Sequence, residues 1–206
     1  MILLALLIAA APPAPKGASL PVAAKAASAP AADAGWPCEV EPKAVLAAGD
    51  YWPAVKGKAG AGWASDAAIV SLAGATARRS LPEDEATAQI RQFAAAHPDM
   101  ADRAKLAVAL TDTIDGERRT IIEGIRRFNV RQAQLAKRME EGYGALDGPA
   151  AAGTPERRAA LEEQAGWDQR IFEDRQRMLP IVCRQPAALE TRLAALIGAI
   201  KEPTPK

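Results

Sequence analysis

The side chains that carry most nucleophilic, acid–base and metal chemistry are scarce in this chain of 206 residues, which holds one histidine, His97, and two cysteines, Cys38 and Cys183. Triads and His-rich metal sites need an imidazole within reach of a nucleophile, a carboxylate or a second imidazole. His97 stands alone in a His97-Pro98 pair, and proline pushes the residue before it out of helical angles. We read it as a helix-ending residue. General acid–base chemistry would have to rest on carboxylates, with Asp168 and Glu123 the pair to inspect for convergence in a cleft. The repeated Glu-x-x-His of di-iron bundles and the C-x-x-C-H of covalent haem are absent from the sequence. Gly57-Lys58-Ala59-Gly60-Ala61-Gly62 superficially suggests a phosphate loop, but it lacks the G-x-x-x-x-G-K-[ST] order and no strand precedes it. No catalytic residue, metal ligand or cofactor is assigned.

What remains is a set of polar residues that interrupt apolar stripes. Gln132 falls four residues after Phe128 and three before Leu135, with Asn129 one position to the side. Gln164, Asp168 and Arg175 lie among Leu161, Trp167, Ile171 and Phe172 on a second helical run. A buried polar group left unpaired costs roughly 1–3 kcal/mol, so these residues are expected to find one another or to touch water. Gln132, Asn129, Gln164, Trp167, Asp168 and Arg175 are therefore the candidate binding residues. The plainer reading is that they fix the register of two helices or sit half-exposed.

The elements that would position them follow from periodicity. Apolar residues at Ile121, Ile125, Phe128, Leu135, Met139 and Leu146 recur at spacings of three and four, which lays a stripe along one helix face. Such a stripe over 117–146, roughly 40 Å at about 1.5 Å per residue, needs a partner of similar length. Thr154 to Val182 supplies it after the breaker run Asp147-Gly148-Pro149 and Gly153, with Leu161, Trp167, Ile171, Phe172, Met178 and Leu179 spread widely enough to face two neighbours. Pro180 should kink or stop this second arm.

Around that hairpin the sequence predicts shorter helices. One runs from Asp66 to Arg78 with Ile69, Leu72 and Ala73 inward. A second starts at Leu81 or Pro82, behind a Ser80-x-x-Glu83 capping box, and ends at about Ala96. Asp99 caps a third, whose stripe through Met100, Ala104, Ala107, Val108 and Leu110 continues into the hairpin, leaving open whether 99–146 is one helix or two with a flexible point at Asp115-Gly116. The last opens at Pro186, with Leu189, Leu193, Leu196, Ile197 and Ile200 inward. A short helix is expected near Pro42 to Ala48, within an irregular arm that carries Trp36, Trp52 and Trp63 and plugs the bundle. The fold class is all-α: an antiparallel helical bundle of five or six helices around a long αα-hairpin, over residues 35–202, with a tail at 203–206.

Residues 1–11 form an apolar run, too short for the roughly 20 residues that span a bilayer, and an Ala/Pro-rich stretch follows to Ala34. We read 1–34 as a secretory signal with a low-complexity linker, which places the protein in the periplasm or outside the cell. In that setting a well-separated cysteine pair reads as one structural disulfide, Cys38 to Cys183. Lys and Arg total 26 against 25 Asp and Glu, so no strong field draws in nucleic acid or an anionic membrane. The arginines of the hairpin alternate with Glu and Asp at three and four residues and should pair on a wet face. The expected function is non-catalytic: a structural or protein-binding role in the cell envelope, partnered by another envelope protein and without a transmembrane anchor. The alternative is a bundle that holds a small molecule or lipid between the hairpin arms, lined by Trp167, Phe128 and Gln132.

Overall fold

A computed structural model describes residues 35–57, 62–149 and 153–202. The expected signal and linker at 1–34, most of the Gly57–Gly62 loop and the 203–206 tail lie outside the described residues. Six α-helices follow one another: α1 (Ala48–Tyr51), α2 (Ala67–Ala77), α3 (Glu83–Ala96), α4 (Met100–Asp147), α5 (Pro155–Cys183) and α6 (Gln185–Lys201), with single 3₁₀ turns at Pro53–Val55 and Trp63–Ser65. No strand occurs among the described residues. The all-α class is as expected from the sequence.

Local chemistry sets most boundaries. Asp66 caps α2 by accepting from the Ile69 backbone N–H at 3.2 Å, and Asp99 caps α4 by accepting from Ala101 at 2.9 Å. Thr154 caps α5, its hydroxyl accepting from the Arg157 N–H at 3.3 Å. The Glu156 carboxyl is held below its usual range by its own backbone N–H and by the Thr154 hydroxyl. At the end of α3 the His97 ring stacks on Phe93, centroids 4.1 Å apart, so the lone histidine is a helix-end residue.

Two boundaries depart from expectation. The expected capping box at Ser80 does not form. Pro82 is extended at ψ 143°, no side chain caps α3, and the helix begins at Glu83. The Arg192 guanidinium, donating to the Thr76 and Leu81 carbonyls at 2.7 and 3.0 Å, ties down both sides of this turn. The helix expected near 42–48 appears instead at Ala48–Tyr51, because the Lys43 carbonyl and the Leu46 N–H are taken by side chains of α4. Of the two outcomes expected at Pro180, the helix does not stop there: α5 runs on to Cys183, one residue past the expected end of the arm. Proline removes one helical donor, and the carbonyl that loses it belongs to Gln176, an exposed residue near the helix end.

Across Asp115-Gly116 the helix is unbroken, so 100–147 is one 48-residue helix. Its first third packs with α2, α3 and α6 around a core of Ile69, Ala73, Ile90, Leu106, Leu110, Ile114, Leu189, Leu193, Leu196, Ile197 and Ile200. Leu46, Trp52 and Val55 of the N-terminal arm close this core, and Trp63 packs on it while its indole N–H donates to the Asp112 carboxylate at 2.9 Å. Each such aliphatic side chain contributes about 1.5–3 kcal/mol of burial. Met100 lies outside the core and is exposed.

The rest of α4 runs against α5 as an antiparallel pair, with α6 turning back from the end of α5 to lie on α4 and α3. Along α5 only Ala165 and Asp168 are buried, and Leu161, Ile171, Phe172 and Leu179 are half-buried. Here the structure corrects the expectation that this arm faces two neighbours: its inner face meets α4, and among the described residues no helix covers its outer face. The expected disulfide is present, Cys38 bonded to Cys183 with Cα atoms 5.6 Å apart. Closing a loop of 145 residues stabilises the fold by about 5 kcal/mol in the chain-entropy model.

Candidate functional site

The six candidate residues divide between two faces of the hairpin. Gln132, Asn129 and Asp168 are buried in the seam. Gln132 donates its amide N–H to the Phe172 carbonyl at 3.0 Å, while its Oε1 is buried with no hydrogen-bond partner. Asn129 donates to the Gly35 carbonyl at 3.0 Å, which ties the N-terminal arm to the hairpin. Asp168, only 5% exposed, takes both arms of the Arg138 guanidinium, at 2.8 and 3.3 Å. A bidentate fork of this kind fixes both distance and angle, so it holds the two arms in register. Nearer the hairpin tip the Tyr143 hydroxyl donates to Gln169.

Gln164 and Trp167 face the other way, Trp167 being 57% exposed, and Arg175 is half-buried. The six residues therefore do not form one site. Trp167 does not line a space between the arms; its indole lies under the Arg170 guanidinium, 5.4 Å from the ring centroid, on the outer surface of α5. The carboxylates proposed to converge do not. Asp168 is spent on Arg138, whereas Glu123 pairs with Arg127 at 3.7 Å on the solvated surface. Three further pairs of hairpin charges form along their own helices, Lys137 with Glu141, Arg158 with Glu162 and Arg177 with Asp174.

One arginine of that surface set is not on the surface. Arg118 is 0% exposed, enclosed between α4, α6 and the N-terminal arm. Its Nε donates to Glu190 at 2.7 Å, Nη1 to Asp115 at 3.2 Å and Nη2 to the Lys43 carbonyl at 2.7 Å. Asp115 is buried as well, accepts from the Leu46 N–H at 3.4 Å and receives the exposed Arg119 at 3.2 Å. Beside this network the Tyr51 phenol is pushed above its usual range, first by burial and then by the negative charge of Glu190, against the opposing pull of Arg118. The arrangement is one cation shared by two carboxylates and a carbonyl, each polar end satisfied, and it pins 43–46 to the helices. Sequence reasoning placed Arg118 on the wet face. The signal available was its position: Arg118 continues the core stripe at four residues after Ile114 and four before Ile122.

The outer surface of α5 also carries Met178 and Ile181, 50% and 47% exposed, on the same flank as Trp167. Among the described residues no group of three or more His, Cys, Asp or Glu side chains is gathered to hold a metal ion, and no helix is long and apolar enough to cross a membrane. Compared with family models, with curated proteins and with solved structures, the chain matches none of them.

Proposed function

We propose that this is an exported, non-catalytic helical protein with a structural or protein-binding role in the cell envelope. The observation that carries the reading is the flank of α5 that no other described helix covers, where Trp167, Met178 and Ile181 stay in contact with water. Large apolar side chains clustered on one exposed flank commonly mark a protein-binding face. Export is supported by the Cys38–Cys183 bond, which persists in oxidising compartments, and by the short apolar run at the start of the sequence. The rival small-molecule reading draws less support, since Trp167 points away from the seam and the Gln132 amide is engaged with a backbone carbonyl.

Two measurements test the proposal. Cell fractionation with N-terminal sequencing should find a shortened chain outside the cytosol, and an intact Met1 in the cytosolic fraction overturns export. A photo-crosslinking residue at Met178, introduced in cells, should give a discrete adduct with another envelope protein that is lost when Ile181→Asp is added; a control crosslinker at exposed Arg131 should not give it. Absence of any adduct at Met178 overturns the binding role of this flank.

A further inference from the structure

The N-terminal arm is attached to the bundle in an uneven way. From 35 to 45 it buries no side chain: Val40 is 76% exposed, Glu39, Glu41, Lys43, Ala44 and Val45 are also exposed, and Trp36, Pro37, Cys38 and Pro42 are half-buried. The described backbone–backbone hydrogen bonds of the arm begin at Ala47, whose carbonyl accepts from Asp50. Trp36 spends its indole N–H locally, on the Val40 carbonyl at 2.6 Å. Two side chains reach the segment from α4, Asn129 to the Gly35 carbonyl and Arg118 to the Lys43 carbonyl. N-terminal of Lys43, which the buried Arg118 guanidinium holds, the one covalent tie is that to Cys183. Leu46 is buried in the core together with Trp52 and Val55. The segment 35–42 is thus a strap, hinged at Lys43 and fastened near its far end by the disulfide and the Asn129 amide.

We propose that the Cys38–Cys183 disulfide is a releasable latch, so that its reduction frees residues 35–42 while the helical bundle stays folded. A neutral net hydrogen bond is worth about 0.5–1.5 kcal/mol, and ordering one residue's backbone costs about 1–2 kcal/mol. The one described side-chain bond from the helices to 35–42, from Asn129 to Gly35, cannot offset the ordering of eight residues without the disulfide. The core of α2, α3, α4 and α6 includes nothing N-terminal of Leu46, so it does not depend on the strap. Both cysteines are half-buried and not sealed in the core, which leaves them within reach of a thiolate. The reductant is a dithiol: it supplies two electrons and two protons, the S–S bond becomes two thiols, and the dithiol closes to its own disulfide. Release leaves Lys43 on Arg118 and exposes the Asn129 amide and the Cys183 end of α5 to solvent. This inference stands apart from the proposed envelope role and fails or holds independently of it.

The test uses the full chain with a fluorophore pair on genetically encoded ketone residues at Val40 and Arg131. In the oxidised protein the inter-dye distance should be single and narrow. After dithiothreitol, and in the Cys38→Ser/Cys183→Ser variant, it should become longer and broad, with helix content by circular dichroism unchanged. Reoxidation should restore the starting state. An unchanged distance on reduction overturns the proposal, because the strap is then held without the latch. Loss of helix content on reduction overturns it equally, because the bond is then a staple for the whole fold.

Discussion

Removing the guanidinium of Arg118 should be the most damaging single change in this protein outside its apolar core. Arg118→Met keeps the aliphatic stem and the volume but deletes the cation that Asp115, Glu190 and the Lys43 carbonyl share. Because the guanidinium is wholly shielded from water, its loss leaves buried Asp115 with only the Leu46 N–H and the exposed Arg119, and breaking a buried pair in this way costs about 3–5 kcal/mol. Against a typical total of about 5–15 kcal/mol for a domain, that is a large share. It corresponds to a fall in melting temperature of roughly 6–20 °C for a chain of this size. The assay is urea unfolding followed by circular dichroism, with Arg119→Met as control. Arg119 also touches Asp115 but is exposed, so its loss should cost under about 1 kcal/mol. A deficit no larger than that of Arg119→Met refutes the assignment of a shared buried cation.

Four further outcomes are expected. Trp167→Ala should alter stability by less than about 0.5 kcal/mol, since the indole contributes little burial, whereas Leu135→Ala in the seam should cost about 2–5 kcal/mol by denaturant unfolding; equal costs would contradict the open flank of α5. Gln132→Met should fall within about 1 kcal/mol of the parent or exceed it, because it exchanges one amide–carbonyl bond for removal of a buried unpaired oxygen; a loss of more than about 2 kcal/mol would show that Oε1 has a partner. In Tyr143→Phe protein, phenolate absorbance should rise at higher pH for the folded chain than for the chain in denaturant, since the Tyr51 phenol is held neutral by burial and by Glu190. The sign follows from linkage: the folded state binds this proton more tightly, so the contribution is complete below about pH 10 and is lost as pH rises through the folded value, and Tyr51→Phe should abolish that alkaline loss.

Much of the architecture was legible because it rests on short-range rules. The breaker run at 147–153, the Asp99 cap, and the stripes of α4 and α6 each carry their own local signal, and the structure follows them. The disulfide was legible from number and separation alone. Where local rules failed, a distant side chain had taken over the backbone: Arg192 at the turn before α3, and Arg118 with Asp115 along 43–46. A capping box or a short helix is worth about a kilocalorie, and a buried guanidinium seeking carbonyls outweighs it.

The same reasoning explains why the hairpin was over-read and Arg118 under-read. An apolar stripe states that a face prefers burial, and it does not state that the chain possesses the helix to bury it. On α5 the stripe through Leu161, Phe172 and Leu179 found α4, while Trp167, Met178 and Ile181 found no covering helix among the described residues. Charge patterns mislead in the opposite direction. Arg118 sits among arginines and glutamates at helical spacing, and its immediate neighbour Arg119 does pair on the surface with Asp115 one turn back. What separates the two is phase: Arg118 lies in line with Ile114 and Ile122, and Arg119 does not. A charged residue in phase with the core is therefore the better predictor of a buried network than any local density of charge, and Asn129, Gln132 and Asp168, likewise in phase with the seam, are buried and engaged in the same way.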